Sequence, residues 1–448
     1  MRGDCSAWVR FAVRGATTLR ILYSHYLVDD AHPAALMVHS VAKALRARGH
    51  EVGVHRSAGL PRATGGPPKS RLSDRARAKV WFARALARNR AMFAADLKAV
   101  REFRPDVVLG RQDAYCFSMP GACTLQGVPL VTFADAPVAY ETRLFGTGGG
   151  RWHPPGLVEA LEAWTIRASR EVITVSHPAA RRLARYRLKT PIHVVPNGVA
   201  PARFPIHDPD ERTRLRAALG LTAPLVLGFV GSFKIFHGID RLRDLILATA
   251  DRADTQWLLI GDGPERATLE GSLEGKARVV FAGRRPAEEV GSLLGLVDVA
   301  VAPHTLFGGD FYFCPLKILE YAAAGCAVVA SDQGDIPLLL DHGKAGVLVS
   351  DNSIESWDAA VRDLLNDRVR RTALGTAARE SVLKTGSWDA NARRVEEILA
   401  GVTAAKGQYP TQSEAKKSHL EKAKARRLAE RGLNPDQRDV KSYELEPG

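Results

Sequence analysis

The chain has 448 residues, of which 46% are hydrophobic and 25% are charged, an ordinary globular composition with enough length for two separately packed domains. Its formal net charge of +14 calls for an acidic partner, which the composition leaves open between an anionic substrate, a membrane surface and a nucleic acid. Because the five cysteines lack metal or redox spacing and no apolar run reaches signal-peptide or membrane-spanning length, we expect a cytoplasmic protein.

The first 200 residues alternate between strand and helix patterns. Short apolar runs at 19–23, 51–54, 105–109, 129–133 and 171–176 predict strands, and the first two flank a helical pattern that Gly49 ends. Such alternation is typical of a doubly wound parallel sheet, in which ligands bind beyond the carboxyl ends of the strands. This rule singles out Asp135 and Glu141 after one strand and His25 in the loop after the first. A lone loop histidine is also compatible with simple solvation.

Residues 73–104 predict a long basic helix. Its apolar positions are at core spacing: Phe82, Leu86, Phe93, Leu97 and Val100. Arg77, Arg84 and Arg88 fall on the opposite side, and such a face either lies on an anionic membrane surface or is merely solvated. A nucleic-acid partner is disfavoured, since neither a basic stripe with regularly interleaved aromatic residues nor a recognised binding module accompanies the charge. Farther along, the glycine-rich residues 146–150 predict a flexible lid over the ligand site of the first half.

The second half repeats the strand and helix alternation. An apolar strand at 225–230 leads into a turn from Gly231 to Gly238 and then a helix, the arrangement in which backbone amides and a helix start hold phosphate. Ser232 lies in this turn, and Lys234 is its predicted phosphate ligand. Later strands end near Gly261 and Arg284.

Residues 299–331 predict a strand, a loop, a helix and a second strand. Pro315 suits the first turn of that helix, and it leaves Lys317 and Glu320 one turn apart on the same face. A cation and a carboxylate facing one pocket fit a nucleoside diphosphate sugar, whose phosphates attract the cation and whose ribose hydroxyls donate to the carboxylate. The alternative is an ordinary surface ion pair.

The segment Phe-Tyr-Phe-Cys-Pro-Leu-Lys-Ile-Leu-Glu at 311–320 resembles the donor site of family 4 glycosyltransferases, which are retaining enzymes of the GT-B fold. The resemblance extends over roughly residues 19–400, including Arg-Gly-His-Glu-Val at 48–52 and Val-Val-Pro-Asn-Gly-Val at 194–199. It implies that Glu320 holds the ribose and that Arg284 packs near the base. The predicted donor-binding residues are Gly231, Ser232, Lys234, Gly261, Arg284, Lys317, Ile318, Leu319 and Glu320.

Four positions depart from the family pattern. Tyr312 stands where the family has a first glutamate near the transferred sugar, a loss shared by the subset with Pro-Leu-Lys before the second glutamate. Ala134 replaces a histidine, so only Asp135 carries over, as the residue that orients the acceptor. The resemblance also implies that Glu141 and His25 lie on the acceptor side of the cleft. Ser232 and His237 replace an arginine and a lysine.

The sequence thus predicts two Rossmann-like domains facing across a cleft. The predicted boundaries are an N-terminal extension 1–18, an acceptor domain 19–200, a donor domain 201–385, a helix 386–402 crossing back and a charged tail 403–448. The expected reaction moves a hexosyl group from a nucleotide sugar to a hydroxyl acceptor with retention, without a metal or further cofactor. If the basic helix binds anionic lipid, the protein is expected to lie at the inner face of the membrane. A nucleotide-sugar epimerase and a non-catalytic binding protein are the alternatives.

Overall fold

The computed structural model describes residues 18–27, 33–57, 74–113, 116–145, 156–305, 310–351 and 353–405. The predicted N-terminal extension up to residue 17, the glycine-rich lid at 146–150 and the charged tail beyond residue 405 lie outside these ranges.

The first half of the chain forms a sheet of six parallel strands in the order β2-β1-β3-β4-β5-β6. The strands are β1 (Arg20–His25), β2 (Glu51–Arg56), β3 (Val107–Arg111), β4 (Leu130–Ala134), β5 (Glu171–Thr174) and β6 (Ile192–Val194). The helices of this half are α1 (Pro33–Ala47), α2 (Asp74–Phe103), α3 (Ser118–Gln126), α4 (Val138–Phe145), α5 (Leu157–Ala168) and α6 (His177–Ala184).

The second half forms another parallel sheet of six strands, in the order β12-β11-β10-β7-β8-β9. Its strands are β7 (Leu225–Val230), β8 (Thr255–Ile260), β9 (Val279–Gly283), β10 (Val299–Ala302), β11 (Ala327–Ser331) and β12 (Val347–Val349). Its helices are α7 (Pro209–Ala218), α8 (Ile239–Ala248), α9 (Arg266–Leu273), α10 (Ala287–Leu294), α11 (Leu316–Ala323), α12 (Ile336–Leu339), α13 (Ile354–Asn366), α14 (Arg368–Thr385) and α15 (Trp388–Ala404).

The two parallel α/β sheets confirm the predicted fold class. Strands that are covered on both faces read as continuous apolar runs, and β4, β8, β10 and β11 are buried along their whole length. Helix α3 was not predicted, because it contains Pro120 and Gly121 and carries little helical periodicity. Gly121 serves close packing there, since a Cβ atom on it would lie 3.2 Å from the Phe93 ring of α2.

The last described helix, α15, packs on the first sheet. Its buried residues Ala392, Val395 and Leu399 join the core cluster that contains Ile21 of β1 and Leu45 of α1. The Arg48 guanidinium also pairs with the Glu396 carboxylate of α15. Helix α15 therefore links the end of the second half to the first sheet.

Two predictions for the first half are wrong in detail. His25 does not lie in a solvated loop, because β1 pairs with β2 as far as His25 and Arg56, and the His25 side chain is only 1% exposed. Arg88 does not lie on a fully solvated face either. It is half-buried and donates to the Cys116 sulfur at 3.4 Å, since it flanks the buried Asn89.

The core side of α2 agrees with the prediction where side chains are described. Val100 is buried, and Phe93 and Leu97 pack against the same apolar cluster. Arg84 and Arg90 are exposed. Among the described helices, none combines the length and apolar character that a membrane crossing requires.

Candidate active site

The strand order of the second sheet reverses between β7 and β10, and most of the predicted donor residues follow these two strands. From this pair, β8 and β9 follow on one side and β11 and β12 on the other. All neighbouring strands are parallel, so their carboxyl ends share one edge and leave a crevice between the loops that follow β7 and β10. The turn that starts at Gly231 borders this crevice from one side, and α11 borders it from the other.

Helix α11 is fixed to both strands by one tyrosine. The Tyr321 hydroxyl accepts from the Val230 amide at 2.9 Å and donates to the Val301 carbonyl at 3.1 Å. Pro315 occupies the position just before the helix, where its missing amide hydrogen costs nothing. The first turns of α11, with Lys317 and Glu320, are therefore held beside β7 and β10, where the strand order reverses.

Lys317 is buried, which contradicts a surface ion pair. The residue is 7% exposed, and its Nζ atom has no hydrogen-bond partner among the described residues. That atom lies 4.2 Å from the centroid of the Phe229 ring, a cation–π distance. Burial lowers the pKa of Lys317 to about 7, although the Glu320 carboxylate opposes the shift. The described side chains thus leave this amine free to contact an anionic ligand.

Glu320 is half-buried one turn farther along α11. Burial raises its pKa, while Arg203 and Lys317 partly offset that effect. No described cation lies within ion-pair distance of its carboxylate, which leaves the oxygens available to a ligand. By contrast, the side chains of Ile318 and Leu319 belong to the core cluster under the sheet. Any contact of these two residues with the donor would therefore come from their backbone, since their side chains pack in the core.

The turn from Gly231 to Gly238 is held close to its neighbours by glycines. Gly238 has φ +72°, and a Cβ atom there would lie 1.6 Å from the Pro303 carbonyl oxygen. Gly261, after β8, has φ +124°, and its Cβ atom would lie 1.9 Å from the Gly231 carbonyl oxygen. Side chains at these positions would push the turn away from the strand ends.

The other predicted donor residues lie at the same edge but are more open to solvent than Lys317. Ser232 and Lys234 are on the outer side of the turn, and the Lys234 Nζ atom lies 5.7 Å from the centroid of the Phe236 ring. Arg284 directly follows β9 and is exposed. These three side chains are exposed, whereas Lys317 is buried.

The loop before α11 contacts the first half of the protein. The Ser176 hydroxyl donates to the Tyr312 carbonyl at 2.6 Å, and the Asn197 amide donates to the Cys314 carbonyl at 3.2 Å. Arg182 pairs with Asp310 at 3.1 Å. These contacts bring the donor-side segment against the carboxyl edge of the first sheet.

The predicted acceptor-side carboxylates meet this segment. Asp135 follows β4 and accepts from Arg111 at 2.8 Å, so the arginine holds its orientation. Glu141 on α4 is half-buried, and burial, together with the nearby Asp135, raises the pKa of its carboxyl to about 7. Burial raises the pKa of Tyr312 as well, and the Glu141 carboxylate adds to the effect. Tyr312, at the position of the family's first glutamate, thus faces a carboxylate of the other half. His25 is buried at the end of β1, and its ring packs edge-on against the His39 ring with centroids 6.2 Å apart.

Sequence reasoning did not identify two polar residues of the site, Arg111 and His304. Each is found where a buried strand ends: Arg111 is the last residue of β3, and His304 lies two residues after β10. A charged or polar side chain directly after an apolar run is the signal that could have found both.

Comparisons with known proteins agree with this division. Residues 34–203 match the family model described as "Glycosyltransferase Family 4", and residues 224–367 match the one described as "Glycosyl transferases group 1". The first match spans the first sheet from α1 onward, and the second spans the second sheet with the crevice.

Individual relatives are named transferases. The chain is 32% identical over 213 residues to the "GDP-mannose-dependent alpha-(1-6)-phosphatidylinositol monomannoside mannosyltransferase" of Mycolicibacterium smegmatis, a match that covers 46% of this chain and 56% of that enzyme. A 2-deoxystreptamine glucosyltransferase of Streptomyces kanamyceticus is 28% identical over 312 residues, covering 65% of this chain and 77% of that protein. The chain therefore spans little more than half the length of the mannosyltransferase that it matches.

Solved structures share the fold. Sucrose-phosphate synthase from Thermosynechococcus elongatus superposes with a TM-score of 0.64 at 19% identity, over 86% of this chain and 99% of that one. Anabaena HepE in complex with UDP and glucose gives 0.65 at 17% identity, over 86% and 100%. The protein has the two-domain GT-B fold that was predicted.

Proposed function

We propose that this chain is a family 4 glycosyltransferase of the GT-B fold, and that it moves a hexosyl group from a nucleotide diphosphate sugar to a hydroxyl acceptor with retention. The observation that carries the proposal is the placement of Lys317 and Glu320 where the strand order reverses between β7 and β10, with Lys317 beside the glycine turn after β7. The matches to two glycosyltransferase families, one for each half of the chain, support it.

The donor occupies the crevice of the second half. Glu320 accepts hydrogen bonds from the ribose hydroxyls, since its carboxylate has no described ion-pair partner. Lys317 neutralises the diphosphate, and Lys234 and Ser232 contribute from the outer wall. The backbone near Gly231 and Gly261 approaches the phosphates closely because neither residue has a side chain. Arg284 borders the base.

The acceptor enters from the first half. Asp135, held by Arg111, orients the acceptor hydroxyl, and Glu141 lies beside it. In the proposed reaction the acceptor oxygen forms a bond to the anomeric carbon as the bond to the diphosphate breaks, on the same face of the sugar. The departing phosphate oxygen takes the hydroxyl proton. Lysine charge and backbone amides stabilise the leaving diphosphate, so the proposal requires no metal and no cofactor beyond the co-substrate.

The relatives guide the choice of substrates. One is named for GDP-mannose and a phosphatidylinositol monomannoside, and one structure holds UDP and glucose. We therefore place GDP-mannose and UDP-glucose first among the donors. We also propose that the acceptor is linked to a lipid at the cytoplasmic membrane face, because the exposed arginines of α2 could then bind the anionic membrane surface. No named relative supports an epimerase.

The test is a release assay with each donor. The purified protein is incubated with GDP-mannose or UDP-glucose, with and without extracted lipid or small polyol acceptors, and both the nucleoside diphosphate and the sugar product are measured. A glycosyltransferase gives acceptor-dependent release with sugar joined to acceptor. Release of an epimer without acceptor, or the absence of affinity for any nucleoside diphosphate, would refute the proposal.

A further inference from the structure

Three basic nitrogen atoms converge at the base of the crevice. They are Nδ1 of His237, Nδ1 of His304 and Nζ of Lys317, and each is buried without a hydrogen-bond partner among the residues that the structure describes. The three come from different elements: the turn after β7, the residues after β10 and helix α11. A Cβ atom on Gly231 would lie 3.0 Å from the His237 Nδ1 atom and 3.2 Å from the Lys317 Nζ atom. Two of the nitrogens therefore border the space that the glycine leaves.

The two histidines are held in place by their surroundings. Their ring centroids are 6.1 Å apart, and the close packing of Gly238 on the Pro303 carbonyl brings the two segments together. The His304 carbonyl accepts from Ser331 at 2.9 Å and from Arg241 at 3.2 Å. Neither imidazole owes its position to a hydrogen bond at Nδ1. A buried polar atom without a partner costs folding free energy, so its persistence points to a ligand.

The protonation states of the two histidines indicate which groups a ligand must present to them. Burial lowers the pKa of His237 to about 2, and Lys317 and Lys234 add to the shift. Burial and Lys317 place the pKa of His304 well below its usual range. Both imidazoles are therefore neutral at ordinary pH, and each offers one N–H to a ligand.

The charged groups around the cluster are mostly cations. Lys234 faces it from the turn, and Arg241 faces it from α8. Glu320, with Arg203 beside it, is the carboxylate that acts on Lys317. A small anion with several oxygens suits this surplus of donors and positive charge.

We propose that His237 and His304 donate Nδ1–H hydrogen bonds to the leaving diphosphate of the donor, and that the Lys317 amine, which no described group pairs, contacts the same diphosphate and takes up a proton from solvent as it binds. The inference deepens the function proposed above and rests on it. The different roles of the histidines and the lysine follow from charge. Three cations so close together would repel one another before the anion binds, whereas two neutral hydrogen-bond donors and one amine that becomes protonated would not. The bound anion then favours the protonated amine.

The first measurement uses the unmodified protein. Binding of GDP and UDP is followed by calorimetry at pH 8 in buffers of different ionisation enthalpy. At that pH a terminal phosphate, with its last pKa near 6, is already ionised, so a proton taken up must go to the protein. We expect an uptake of about one proton per diphosphate at most, set by the fraction of Lys317 that is neutral, and none with guanosine or uridine.

Variants assign the parts. His237→Ala and His304→Ala should each weaken GDP and pyrophosphate binding roughly 10- to 150-fold while keeping the proton uptake. Asparagine at either position places an N–H near Nδ1 and should recover part of the loss, which a purely structural role would not predict. Lys317→Met should abolish the uptake. His193→Ala, on β6 of the first sheet, is the matched control and should bind like the wild type.

The outcomes separate this inference from the proposed function. If the wild type binds GDP or UDP without proton uptake, or if the alanine variants bind as tightly as the wild type, the inference is wrong and the transferase proposal stands. Equal losses in the asparagine and alanine variants would also overturn it, since the donor atom would then be irrelevant. A wild type that binds no diphosphate overturns both.

Discussion

Replacement of Glu320 by glutamine is the sharpest test of the donor crevice. The change removes the negative charge of the carboxylate and keeps its size. In the described structure Glu320 has no ion-pair partner within bonding distance, so the change breaks no salt bridge. Burial raises its pKa, which means that the charged form is less favourable in the folded protein. The glutamine variant should therefore unfold at the same or a higher denaturant concentration at pH 7.

Binding should change in the opposite direction. A charge-assisted hydrogen bond is worth about 1.5 to 3 kcal/mol, so losing the ribose contact should raise the dissociation constant for GDP or UDP roughly 10- to 150-fold. Inorganic pyrophosphate has no ribose, and its affinity should stay the same or increase, because Lys317 loses its nearby negative charge. Calorimetry with both ligands measures the difference.

Glu380→Gln on the exposed side of α14 is the matched control, since it removes the same charge at a solvent-exposed position outside the proposed donor site. The ribose assignment fails if the folded Glu320→Gln variant binds GDP and UDP within twofold of the wild type. It also fails if pyrophosphate and nucleotide affinities fall together, because the residue would then act on the phosphate pocket as a whole.

Three further predictions concern the basic residues. Lys317→Met should raise the stability to urea most at pH 7 and below, and the gain should shrink as pH rises toward 10.5. The reason is that the pKa of Lys317 is about 7 in the folded protein and 10.5 for an unperturbed lysine, so the unfolded chain binds the extra proton across that window. Lys317→Ala and Lys234→Ala should weaken binding of GDP more than of guanosine, as calorimetry would show, and the buried Lys317 should have the larger effect. Arg84→Gln with Arg90→Gln should reduce sedimentation with acidic vesicles at low salt and leave nucleotide binding unchanged.

Each of these has a contrary result. A Lys317→Met variant with a stability gain that is independent of pH would show that packing, not charge, sets the cost of the lysine. Equal losses for GDP and guanosine would remove the lysines from the phosphate site. If the wild type ignores acidic vesicles, the basic face of α2 is only solvated, and a soluble acceptor replaces the lipid-linked one in the proposal.

The sequence predicted the sheets well because parallel strands are buried on both faces. Their apolar runs are therefore visible without any knowledge of partners, and β7 was predicted to the residue. The reversal of strand order between β7 and β10 depends on pairing between segments that are distant in the sequence. No local pattern carries it. Strand and helix patterns placed Lys317 and Glu320 on one face of a helix after a strand end, but they could not place that helix beside β7.

Side-chain burial within the site was harder to predict. Helical spacing placed Lys317 and Glu320 on the same face, but it could not show that the lysine is buried under Phe229 without an ion pair. Arg88 illustrates the same limit, since its partner Cys116 lies on a different segment. The contacts of Tyr312 with Ser176 and Glu141 join the two halves of the chain and have no signature in either half.

The unpaired polar atoms of the crevice also explain why these residues are arranged as they are. Burying the amine of Lys317 and the Nδ1 atoms of two histidines without partners among the described residues lowers the stability of the folded protein. A core lysine that served packing alone would be better replaced by methionine or leucine. An anion that meets all three atoms returns the lost hydrogen bonds and charge compensation, and it stabilises only the folded chain. Under the proposed function, the stability that the ligand-free protein lacks is what a bound diphosphate restores.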